Sequence, residues 1–165
     1  MNAPPVISVG WLVIPLLLAV IAYDMRFMRI PNWLVTLFVI VAICSLPFSV
    51  SWIELKWRLI AGAGVFLVSL LIFAQRLIGG GDVKLLTALT LLIPVCALQL
   101  FGMILSLSIF ASVLALFITR RAMLGRPTRW LAISDRSGFP MGLAIGVAGI
   151  IFWLFGPNLM RMITG

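Results

Sequence analysis

Four acidic side chains, Asp24, Glu54, Asp82 and Asp135, stand in a chain of 165 residues that contains no histidine. The two cysteines, Cys44 and Cys96, lie inside apolar runs and form no CxxC pair. That inventory removes imidazole catalysis and zinc sites built from Cys or His, and makes the rare carboxylates candidates for the chemistry. Two carboxyls held together in a low-dielectric site cannot both ionise easily. One keeps its proton while the other stays a base, and their titration belongs to the pair. Such a pair suits peptide hydrolysis: the anion takes a proton from water, and the protonated partner hydrogen-bonds the carbonyl oxygen. This chemistry needs no metal and no cofactor.

The elements that must position those acids are set by composition. Hydrophobic residues make up 64% of the chain and charged residues 10%, with a mean hydropathy of +1.27. A soluble domain is far more polar. The apolar stretches are unbroken, without the alternation of a barrel strand, so an all-α transmembrane bundle in one domain, residues 1–165, is expected. Six spans are predicted, over Val6–Tyr23, Trp33–Phe48, Leu59–Ala74, Leu85–Val95, Ala97–Ile118 and Gly138–Phe155. The uncharged run from Leu85 to Ile118 is too long for one crossing, and Pro94 offers the break. The first run lacks a basic leader and a small-residue cleavage site, and reads as a retained span.

The net charge of +8 is assigned to topology rather than to nucleic acid, because no basic stretch interleaves with aromatics. With the amino terminus outside, nine Lys and Arg fall in cytoplasmic loops and three on the other side. Glu54, beside Lys56 and Arg58, and Asp135, beside Arg136, then read as solvated loop charges. Asp24 and Asp82 fall at the cytoplasmic membrane edge on separate helices. A carboxylate there is a functional-site candidate. The alternative is that each pairs with a cation, Arg26 or Lys84, and caps a helix. From position alone both readings stand.

The run Gly79-Gly80-Gly81 before Asp82 lets the backbone turn and lets another chain approach closely. Lys84 is expected to neutralise a carboxylate or to meet lipid phosphate.

Three segments carry a family resemblance. Gly79-Gly80-Gly81-Asp82-Val83-Lys84-Leu85 resembles the GxGDxKL signature of type IV prepilin peptidases. The segment from Asp24 to Leu34 is similar to that family's first catalytic segment, an Asp followed by basic residues and I-P-N-x-L. Phe139-Pro140-Met141-Gly142-Leu143-Ala144-Ile145-Gly146 resembles its P-x-G-x-A-I element. The resemblance implies an inner-membrane aspartic endopeptidase that cuts the leader from prepilins or pseudopilins at the cytoplasmic face. Asp24 and Asp82 carry over as the catalytic pair, and Gly79, Gly80, Gly81 and Lys84 as positioning residues. Larger members carry paired CxxC motifs and also methylate the new amino terminus. This chain is similar to the compact members serving tight-adherence (Flp-type) pili, for which peptidase activity without methylation is expected. The reading from another class is a small ion- or proton-coupled transporter using the two Asp residues, though no internal repeat is evident.

Overall fold

The computed structural model describes residues 6–122, 130–134 and 139–164. Among them the fold is all-α. Six helices exceed a single turn: α1 (Val6–Phe27), α2 (Asn32–Ser49), α3 (Trp52–Ala74), α4 (Gly80–Leu92), α5 (Leu98–Ala122) and, after the short α6 (Leu131–Ser134), α7 (Met141–Thr164). A 3₁₀ turn, Val95–Ala97, precedes α5. Arg126, Arg129, Asp135, Arg136 and the side chain of Arg161 lie outside what is described.

The expected six spans are corrected to three. Among the described residues only Val9–Phe27, Trp52–Ala74 and Val95–Ala122 are long and apolar enough to cross a membrane. The 23 residues of α3 reach about 35 Å, sufficient for a hydrocarbon core of roughly 30 Å. The apolar stretches Asn32–Leu46 and Met141–Gly156 are shorter, and α4 has 13 residues. The outward amino terminus rested on counting six spans and goes with them. Hydropathy registers that a segment is apolar, not whether lipid or protein surrounds it. Helix α4 shows the difference, because eight of its thirteen residues are buried. It is the interior helix of the bundle, packed against α2, α3 and α7. Leu85, Leu89 and Ile93 are wholly inaccessible, as are Leu34 and Phe38 of α2. By contrast, α3 buries only Arg58, Gly62 and Ser69, and its remaining apolar surface faces outward.

Helices α1 and α7 run antiparallel: Leu17 lies against Gly146 and Gly149, and Trp153 against Gly10. Pro94 ends α4 as expected, the chain turning through Ile93 and Pro94 into the 3₁₀ turn.

At the end of the bundle where α3 begins, the expectation of solvated charges fails. Helix α3 starts at Trp52 rather than Leu59, so Glu54 and Arg58 fall one turn apart on a helix instead of in a loop. Arg58 is buried and donates from Nε to Glu54 Oε1 at 3.0 Å. Its Nη1 reaches the carbonyls of Leu91 and Leu92 at 3.4 and 3.3 Å, satisfying the last turn of α4. Glu54 Oε1 accepts in turn from the Val95 N–H at 3.1 Å. One ion pair thus pins α3 to the turn that follows α4. Removing a single partner would leave the other half-buried and unpaired. Arg58→Ala is therefore expected to destabilise the protein by about 2–4 kcal/mol, read as a lower unfolding midpoint in detergent. Glu54→Gln, which keeps an acceptor for Val95, is expected to cost about 1–2 kcal/mol.

Candidate active site

Asp24 lies in the last turn of α1, on the face that also carries the buried Val13, Leu17 and Val20. The helix ends just beyond it, where Met28 takes a left-handed conformation (φ 51°) and its N–H closes on the Asp24 carbonyl at 2.8 Å. The Asp24 side chain is 4% exposed and reaches across to the start of α7. There its Oδ2 accepts from the Leu143 N–H at 3.0 Å.

Asp82 is built the same way on another helix. It is the third residue of α4, 8% exposed, and its Oδ2 accepts from the Gly79 N–H at 3.0 Å. Each carboxylate therefore occupies the N-terminal turn of a helix, where free backbone N–H groups and the helix dipole favour negative charge. Each is also received by a glycine. A Cβ at Gly142 would lie 2.9 Å from both Cγ and Oδ2 of Asp24. A Cβ at Gly79 would lie 2.8 Å from Asp82 Oδ2.

The linker between α1 and α2 joins the two halves. Ile30 fills the space over Gly81, whose Cβ would lie 2.9 Å from that of Ile30, and its Cδ1 approaches Gly142. Asn32, at the start of α2, accepts from Lys84 Nζ of α4 at 3.0 Å. The Ile-Pro-Asn segment and the Gly-Gly-Gly-Asp-Val-Lys segment, about fifty residues apart in the chain, are thus packed face to face. Of the three glycines, Gly79 and Gly81 are held by close approach, whereas a Cβ at Gly80 would meet only Phe73 at an ordinary 3.5 Å. Lys84 is exposed and engages Asn32 rather than a carboxylate. Among the described residues no Lys or Arg forms an ion pair with Asp24 or Asp82. The alternative of a cation-neutralised cap thereby loses its cation, although both carboxylates do cap helices.

Sequence reasoning passed over Gly142, the Leu143 N–H and Ile30 as members of the site. The late Pro-Met-Gly motif was visible, but nothing in it revealed that it receives Asp24. Beside the pair a groove of about 420 Å³ is lined by Tyr23, Phe27, Arg29, Ile30, Pro31 and Asn32. A second, of about 190 Å³, continues from Asn32 along Val35, Thr36 and Val39 to Lys84. Among the described residues no three His, Cys, Asp or Glu side chains gather as a metal site would require.

One oxygen stands out electrostatically. Asp82 Oδ1 is buried and has no hydrogen-bond partner among the described residues. Burial, and after it the negative charge of Asp24, push the Asp82 carboxyl up to about 7 from its usual 3.8, against the opposing pull of the Gly79 N–H. A carboxyl raised by folding contributes stability that is complete below about pH 4 and lost as the pH climbs through about 7. The unfolding midpoint should accordingly fall between pH 5 and pH 9. Asp82→Asn should flatten that dependence and leave the protein more stable than the parent at pH 8, by about 1–3 kcal/mol.

The profile of the type IV leader peptidase family matches residues 11–120, two thirds of the chain, and spans both Asp24 and Asp82. No curated protein and no solved structure gives a match. With its apolar helices and paired acidic segments, the chain belongs to the type IV leader peptidase family, multi-pass inner-membrane aspartic peptidases that cleave the leader from type IV prepilins.

Proposed function

We propose that Asp24 and Asp82 are the catalytic pair of this peptidase and that cleavage takes place at the cytoplasmic face. The observation that carries this reading is the construction of the site: two buried carboxylates on different helices that, among the described residues, have no cation paired with either and leave one oxygen without a partner. Asp82 holds the proton, because burial and the charge of Asp24 both oppose its ionisation. Asp24, held by the Leu143 N–H, is the base. It takes a proton from water as the water oxygen attacks the scissile carbonyl carbon, while Asp82 gives its proton to the carbonyl oxygen. The resulting gem-diol collapses as Asp82 recovers that proton and Asp24 passes its own to the departing amine. The C–N bond breaks and the carboxyl and amine products leave.

The distribution of charge favours the cytoplasmic face. The end of the bundle that carries the two acids also carries Arg26, Arg29, Arg76, Lys84, Arg120 and Arg121, whereas the other described end has Lys56 and the clamped Arg58. Basic residues gather on the cytoplasmic side. A prepilin presents its basic leader there, with the apolar helix in the bilayer. The cationic rim repels such a leader, so recognition rests on the apolar helix of the substrate. The similarity to members serving Flp-type pili makes a Flp-type prepilin or pseudopilin the substrate. The absence of any CxxC pair among these residues supports cleavage without methylation.

Co-expression with a candidate prepilin, followed by gel shift, tests the pair. Asp24→Asn and Asp82→Asn should each lower processing by about a hundredfold or more, with Glu54→Gln unaffected at permissive temperature. Retained processing in either Asp variant removes the proposed chemistry. Purified protein given prepilin and labelled S-adenosylmethionine should transfer no label. The glycines provide a finer test: Gly79→Ala and Gly81→Ala should cost about tenfold or more in turnover, while Gly80→Ala should stay within about twofold.

A further inference from the structure

Helices α4 and α7 each present an N-terminal turn to the site, and each turn holds one of the two carboxylates. A single side chain touches both turns. Ile30 leaves the linker after the left-handed turn at Met28 and is half-buried. Its Cβ and carbonyl oxygen lie 2.9 and 3.2 Å from a Cβ position at Gly81, the residue before Asp82. Its Cδ1 lies 3.0 Å from a Cβ position at Gly142, the residue before the N–H that binds Asp24. Both contacts are with glycine, so Ile30 meets backbone on either side with no flexible side chain between to absorb a change. Backbone packed this closely transmits displacement instead of damping it.

We propose that Ile30 is a positioning residue that fixes the separation between the Asp24 and Asp82 carboxylates. The inference rests on the reading of those two residues as the catalytic pair. A spacer of this kind has a functional consequence that ordinary core packing lacks. The like-charge coupling between two carboxylates depends on their distance, and that coupling sets how long the pair retains its shared proton as the pH rises. A smaller residue at position 30 lets the two turns close on the vacated volume and brings the carboxylates nearer. A Cβ added at Gly81 drives the turns apart. The two changes are therefore expected to act in opposite directions on one measurable quantity.

Among the described residues the other charged and titratable groups around the pair do not compete for that role. Tyr23 and Arg26 lie on α1, Arg29 in the linker, Arg76 beyond the end of α3, and Lys84 is engaged by Asn32. Arg120 at the end of α5 donates to the Ala132 carbonyl at 2.7 and 2.9 Å. The first turn of α7, Met141 to Leu143, adds none.

The test is kcat against pH for the full-length protein in detergent, acting on a purified prepilin. Ile30→Ala should move the alkaline limb to higher pH by about half a unit or more, and Ile30→Val, which removes only Cδ1, should move it less in the same direction. Gly81→Ala should move it to lower pH. If Ile30→Ala fails to fold, Ile30→Val and Gly81→Ala decide between them. Limbs that coincide with the parent's while kcat merely follows thermal stability would overturn the proposal, as would shifts all of one sign. Asp24→Asn and Asp82→Asn in the same assay distinguish the failures. Cleavage surviving in either defeats the catalytic pair itself. Cleavage lost in both, with unmoved limbs in the Ile30 and Gly81 variants, defeats only the role of Ile30.

Discussion

A carboxylate buried without a cation needs hydrogen bonds and favourable dipoles, and in this protein both acids obtain them from the same source. Asp24 accepts from the Leu143 N–H at the start of α7, and Asp82 from the Gly79 N–H at the start of α4. The first turn of a helix has N–H groups with no partner of their own, so the arrangement satisfies donor and acceptor together. It also explains why the site is lined by glycine. A carboxylate close enough to bond a helix-start N–H leaves no room for a neighbouring Cβ, and Gly79 and Gly142 provide that room. Among the described residues no cation pairs with either acid. Burial and mutual repulsion then hold a proton on Asp82 that solvent would remove.

The rest of the bundle keeps those helix starts in place. Helix α4 is surrounded by α2, α3 and α7 and fixed at its far end by the Arg58–Glu54 pair. Its beginning is held by Ile30 and by the bond from Lys84 to Asn32. A 13-residue helix tethered at both ends cannot tilt freely, and Asp82 inherits that constraint. Helix α3 performs a different task. Its broad apolar surface faces outward, which suits lipid, while Arg58 and Gly62 meet the end of α4. The end that carries the two acids and the clamped end lie on opposite sides of the bundle, so mutations at one can be made without touching the other.

Much of this was legible beforehand. Three ordered motifs, around Asp24, Asp82 and Pro140, already pointed to the family that the profile matches. The break at Pro94 follows from a residue that lacks an N–H. Other features were not legible. Hydropathy counted α2, α4 and α7 as crossings, whereas only three of the helices are both long and apolar enough to span, and α4 is apolar because protein surrounds it. Glu54 and Arg58 were read as loop charges because their hydrogen-bond partners lie more than thirty residues away in α4 and the following turn.

The sequence by itself determined the all-α class and, through its ordered motifs, the peptidase family, since these depend on residue type and short-range order. The tertiary structure decided what surrounds the acids. Only folding shows that a helix start far along the chain receives Asp24, that Lys84 meets an amide and not a carboxylate, and that Ile30 stands between the two helix starts. Each is a contact between segments distant in sequence. Such contacts are fixed by the packing of backbone against backbone, which no local pattern of residues encodes.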